Sequence, residues 1–108
     1  MIDLNELAIK AYDTARKREQ NGANVKTDTR SMIKHCATEV VEAMEAFCLC
    51  ERISIDGKQL PNDFSSELAD IITCVLIIAG GENIDIEQAL ADCQEKNRKR
   101  AEGIGDKK

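Results

Sequence analysis

The chain has 108 residues, 43% of them hydrophobic and 32% charged, with a formal net charge of −5. That length allows one modest core, and the balance of apolar and charged residues fits a soluble helical protein better than a disordered or membrane one. The acidic surplus argues against general affinity for duplex nucleic acid, which draws on an excess of Lys and Arg, but not against a nucleotide held through divalent cations.

One Pro, no Trp, one Tyr and two Phe are fewer turn and aromatic residues than a β-sandwich uses, so the expected class is all-α. The N-terminus, MIDLNELAIK, is acidic from its third residue and does not read as a secretory signal. The five cysteines, Cys36, Cys48, Cys50, Cys74 and Cys93, contain no C-x-x-C pair. They read as buried reduced thiols of a cytoplasmic protein.

Asp3, with Glu6 three residues on, reads as a capping box that opens the first helix, in which Leu4, Leu7, Ala8, Ala11, Tyr12 and Ala15 recur at helical spacing. The helix is expected to reach about Glu19, and the polar stretch Gln20 to Thr29, with Gly22, to form a loop. From Arg30 to about Glu51 a second helix is expected, with Ile33, Cys36, Ala37, Val40, Met44, Phe47 and Cys48 on its buried stripe. The segment Ile53 to Asp63 contains Asp56-Gly57 and Pro61 and reads as a loop, with a short strand over Arg52-Ile53-Ser54-Ile55 as the alternative.

A third helix should begin after Asn62 or Asp63. Its run from Leu68 to Ala79 is apolar almost all the way round, which makes it central. The run falls short of the roughly 20 residues that span a bilayer, and Asp70 interrupts it, so no membrane segment is expected. Gly80-Gly81 should stop this helix, and Asp85 with Gln88 should cap a fourth, buried through Ile86, Ala89, Leu90 and Cys93. The expected organisation is one domain over residues 1–102 and a frayed tail over 103–108.

The chemistry-bearing pattern is a pair of carboxylates on each of two consecutive helices. Glu39 and Glu42 are three residues apart on the second, Glu67 and Asp70 three apart on the third. That spacing puts each pair on one helix face, so two packed helices can aim all four at one point. Carboxylates without Cys or His suit Mg²⁺ or Mn²⁺ rather than zinc. The stripe leaves Glu39 and Glu42 on the polar side of the second helix, where an ordinary wet face would look the same. Asp70 is expected to be buried, because Cys74 and Ile77 follow on its side, and a buried carboxylate needs a cation, a donor or a raised pKa; a carboxylate favoured by the dipole at a helix N-terminus is the alternative. The fourth helix ends in Lys96-Asn97-Arg98-Lys99-Arg100, where Asn97 and Arg100 share a face and could hold phosphate or sugar oxygens.

Glu39-Val40-Val41-Glu42 followed by Glu67-Leu68-Ala69-Asp70 resembles the MazG-like branch of the all-α nucleotide pyrophosphohydrolases, marked by E-x-x-E on one helix and E-x-x-D on the next. The final helix offers an Asn-x-x-Arg-like pattern at Asn97 to Arg100, and the order of elements looks similar across nearly the whole chain. The resemblance implies a four-helix, bundle-like protomer that hydrolyses a nucleoside triphosphate to the monophosphate and pyrophosphate. It implies that Glu39, Glu42, Glu67 and Asp70 bind Mg²⁺ (or Mn²⁺), with one carboxylate acting on the attacking water. Asn97, Arg100, Lys96 and His35 are the expected substrate contacts. Cys93 stands where the family commonly has a Lys, and the loop over residues 20–30 lacks its usual aromatic. The rival reading is a non-catalytic helical module that senses a nucleotide or binds a protein. Because four short helices leave the third incompletely covered, a homodimer or homotetramer is expected, with the second and third helices at the interface.

Overall fold

Four α-helices follow one another: α1 (Leu4–Gln20), α2 (Thr29–Ile55), α3 (Asp63–Gly81) and α4 (Ile86–Ala101). The structure, a computed structural model, describes residues 2–55 and 63–103, with side chains described over 2–48 and 64–103. Among the described residues there is no strand, so the chain is all-α. The expected turn at Asp56-Gly57 and Pro61 lies outside the described residues, as does the tail from residue 104.

The helix boundaries follow from local capping chemistry. Asp3 caps α1 by accepting from the Glu6 amide at 3.1 Å. Gly22, at φ 91°, ends the following turn in a left-handed conformation, with the Ala23 amide bonded back to the Arg18 carbonyl at 2.9 Å. Asp28 opens α2 by accepting from the Ser31 amide at 3.0 Å, which starts the helix one residue before the expected Arg30. At its other end α2 continues to Ile55, so Arg52 to Ile55 is helical rather than a loop or a strand.

Helix α3 ends at Gly81, within the Gly80-Gly81 pair expected to stop it. The turn that follows closes at Asn83, which takes φ 58° while the Ile84 amide bonds to the Ala79 carbonyl at 2.9 Å. The two glycines also serve close packing: a Cβ on Gly80 would lie 2.8 Å from Tyr12 Cβ, and one on Gly81 would lie 2.8 Å from Tyr12 Cε1. Helix α1 therefore touches the backbone of α3.

Helix α3 packs against both α1 and α2. One cluster joins Ala15, Met32, Cys74 and Ile77 from all three helices; a second joins Ala8, Leu76 and Ala79. The Phe64–Gly81 segment, of mean hydropathy 1.6, is long and apolar enough to cross a membrane by length and composition alone. This is longer than the expected run from Leu68, because Phe64 and the two glycines extend it. The segment packs against α1 and α2 and carries Glu67 and Asp70 within it, and 17% of it is buried.

Two packing expectations are overturned. On α2 the buried positions are Met32, Glu39 and Ala43, with Cys36 half-buried, whereas Ile33, Ala37, Val40, Met44, Phe47 and Cys48 are exposed. The face with fewer bulky side chains lets α2 and α3 approach closely, and the bulkier stripe is left outward. On α4 no residue is buried: Ile86 is half-buried, and Ala89, Leu90 and Cys93 are exposed. Its anchor is Asn5 of α1, whose Oδ1 accepts from the Ile86 and Glu87 amides at 2.9 and 3.2 Å. The Asn5 side-chain amide in turn donates to Asp85 at 2.9 Å.

The thiols also depart from expectation. Only Cys74 is buried among those described; Cys36 is half-buried, and Cys48 and Cys93 are exposed. Burial pushes the Cys74 thiol up to about 11, with Cys36, Glu39 and Asp70 adding in the same direction.

Candidate metal centre

The α2–α3 seam brings Glu39, Glu67 and Asp70 together, one carboxylate oxygen from each lying within 4.8 Å of the others. Glu39 and Asp70 also line a cleft of about 240 Å³ with Ala15, Arg18, Met32 and His35. The helical spacing accounts for the convergence. Glu39 lies on the same side of α2 as Met32 and Ala43, the side that packs on α3, and Glu67 and Asp70 are three residues apart near the start of α3.

The burial order is the reverse of the expected one. Glu39 is only 8% exposed, Glu67 is half-buried, and Asp70 is exposed. Cys74, one turn after Asp70, is buried in the core, but helical rotation places the Asp70 carboxylate on the rim. Glu39, expected on the wet side of its helix, is the deep member of the group. Glu42 does not join the convergence: it is exposed on α2 and acts on Glu39 through its charge.

Glu39 Oε1 accepts from His35 Nε2 at 3.1 Å, one turn earlier on α2, while Glu39 Oε2 is buried with no hydrogen-bond partner among the described residues. Loss of water pushes the Glu39 carboxyl above its ordinary value of 4.5. The charges of Glu42, Asp70 and Glu67 push in the same direction and His35 opposes them. A buried carboxylate that has an orphaned oxygen and converges with two further carboxylates is the environment a hard cation relieves, because it supplies the missing partner and offsets the repulsion together.

The other expected substrate contacts are placed differently. His35 is half-exposed and lines the cleft. Lys96, Asn97 and Arg100 lie on exposed turns of α4 and are absent from the lining of the cleft. Asn97 is turned back to the Cys93 sulfur at 3.8 Å, and Arg98 between them pairs with Glu95 and Glu102. No family model, no curated protein and no solved structure matches the chain.

Sequence reasoning missed Arg18 and Thr73, which line the cleft from α1 and α3. Arg18 belongs to the basic last turn of α1 and carries no motif. Only the packing of α1 on α3 reveals its position.

Proposed function

We propose that the chain is a magnesium-dependent nucleoside triphosphate pyrophosphohydrolase of the MazG-like all-α type. The observation that carries this reading is the convergence of one carboxylate oxygen each from Glu39, Glu67 and Asp70, with Oε2 of Glu39 buried and without a hydrogen-bond partner among the described residues. Glu39, Glu67 and Asp70 would hold Mg²⁺ or Mn²⁺, and the ion would neutralise phosphate charge and acidify a bound water. His35 orients Glu39 by donating to Oε1. Glu42, exposed beside the group, is the carboxylate assigned to take the proton of the attacking water.

The test is pyrophosphate release from a panel of nucleoside triphosphates with Mg²⁺. Glu39→Gln should lose both Mn²⁺ binding and turnover, while Glu42→Gln should lose turnover and keep Mn²⁺. No release from any nucleotide, with nucleotide still bound, would favour the non-catalytic module instead. The exposed turns of α4 give that rival its support, since they place the basic residues away from the cleft.

We also propose a homodimer working in the cytoplasm. Ile33, Val40 and Met44 on α2 and Leu68, Ile72 and Val75 on α3 are 40–66% exposed, an apolar surface that water does not favour. The radius of gyration, 17.2 Å, exceeds the roughly 13 Å of a compact domain of about this length. If Asn97 and Arg100 contact substrate, the α4 of a second protomer must bring them. Light scattering should give at least twice the chain mass, and Ile72→Glu should halve it. A monomeric wild type at micromolar concentration would refute the assembly.

A further inference from the structure

We infer that Arg18 is the anion-binding residue of the cleft and receives a phosphate group of the ligand whose cation Glu39, Glu67 and Asp70 would hold. The inference rests on the metal-site reading above and extends it to a residue that no motif marks.

Among the described residues the cleft has an acidic side and one permanently charged basic residue. Glu39 and Asp70 stand on it from α2 and α3, and Arg18 faces it from the last turn of α1, with His35 and Thr73 completing the polar lining. Thr73 is already engaged, its hydroxyl donating to the Ala69 carbonyl at 2.8 Å, and His35 is held by Glu39. Arg18 makes no ion pair among the described residues. A guanidinium placed to neutralise the Glu39 or Asp70 carboxylate would pair with it; this one shares their cleft and pairs with neither. Glu39 Oε2 is likewise buried without a partner. A donor fork on the cleft wall and an unmet acceptor oxygen on a residue that lines the same cleft fit a ligand that carries both a cation and an anion, which describes a metal-bound polyphosphate.

The alternative account of Arg18 is helix electrostatics, since Lys17 and Arg18 both sit in the last turn of α1. The two accounts separate by position. Lys17 shares the dipole but is absent from the cleft lining, so it serves as the control.

The experiment titrates inorganic tripolyphosphate into wild type, Arg18→Ala, Arg18→Lys and Lys17→Ala by calorimetry, with Mn²⁺ present, and titrates Mn²⁺ alone in parallel. Loss of a charge-assisted bidentate contact should weaken tripolyphosphate binding by about tenfold to a hundredfold in Arg18→Ala. Arg18→Lys should recover part of the loss, Lys17→Ala should match wild type, and all four should bind Mn²⁺ alike. Equal binding by wild type and Arg18→Ala, equal losses in both alanine variants, a loss of Mn²⁺ affinity in Arg18→Ala, or a wild type that binds no tripolyphosphate would each overturn the inference. Turnover separates this result from the reading it rests on. If wild type and Arg18→Ala hydrolyse a nucleotide with equal KM, the inference fails and the hydrolase stands. If nothing is hydrolysed while anion binding still depends on Arg18, the hydrolase fails and the inference stands.

Discussion

Glu39→Gln removes the charge at the deepest point of the carboxylate group while keeping the size of the side chain and an oxygen for His35. Two unit charges at the 4.8 Å limit of the group repel by about 3.5 kcal/mol at an effective dielectric constant of ~20, and by about 0.9 kcal/mol in bulk water. Asp70 is exposed, so solvent screens its share and the cost lies toward the lower figure. The metal-free variant should therefore be more stable than wild type by on the order of 1–3 kcal/mol, each kcal/mol raising the melting temperature of a domain this size by roughly 4–8 °C. The pH dependence follows from the raised carboxyl. The stability that protonated Glu39 contributes is complete below its ordinary value of 4.5 and is lost as pH rises through the elevated one. The difference between variant and wild type in EDTA should be small at acid pH and widen toward mildly alkaline pH. Mn²⁺ at about 100 times its Kd should add ~2.7 kcal/mol to wild type and far less to the variant, closing or inverting the gap. Thermal melts followed by circular dichroism measure all of this. A variant that melts below wild type in alkaline EDTA, or that gains as much from Mn²⁺, would refute the reasoning.

Gly80→Ala should destabilise the fold by about 1–3 kcal/mol, because its Cβ would press on Tyr12 Cβ and the Ala8 backbone, forcing α1 away from α3; an unchanged or raised melting temperature would contradict the close-approach role. Asn5→Ala removes the acceptor of two α4 amides and should free α4 first, seen as faster amide exchange over Ile86 to Gln88 while α3 keeps its protection. Among the described thiols Cys48 and Cys93 should be alkylated rapidly by iodoacetamide and Cys74 only on unfolding, since its thiol is buried and raised to about 11; early labelling of Cys74 in peptide mapping would show that the α1–α2–α3 cluster opens.

What the sequence discloses is mostly local. Capping at Asp3 and Asp85 depends on residues three apart, so both helix starts are visible before any packing is known. The same holds for the apolar composition of α3, which dictates its central place. What stays hidden depends on pairs far apart in the chain. That Gly80 admits a neighbour as well as standing at a helix end is decided by Tyr12. Whether α4 has a buried face is decided by what lies beside it, and here Asn5 holds only its first turn. Arg18 carries no spacing signature because its significance arises from α1 packing on the α2–α3 pair.

The α2 helix shows why its hydrophobic stripe misled. A helix in a small protomer can have two faces with different tasks, and periodicity detects only the more apolar one. The stripe through Ile33, Val40 and Met44 is exposed in the single chain, while the face that packs on α3 carries Met32, Ala43 and Glu39. A carboxylate has no energetic reason to occupy that inner face on packing grounds, since an apolar residue there would lower the desolvation cost and remove the repulsion from Glu42, Asp70 and Glu67. Its presence opposes stability locally, so the argument for a ligand at this seam comes from the buried face of α2, and the argument for a partner chain comes from its exposed one.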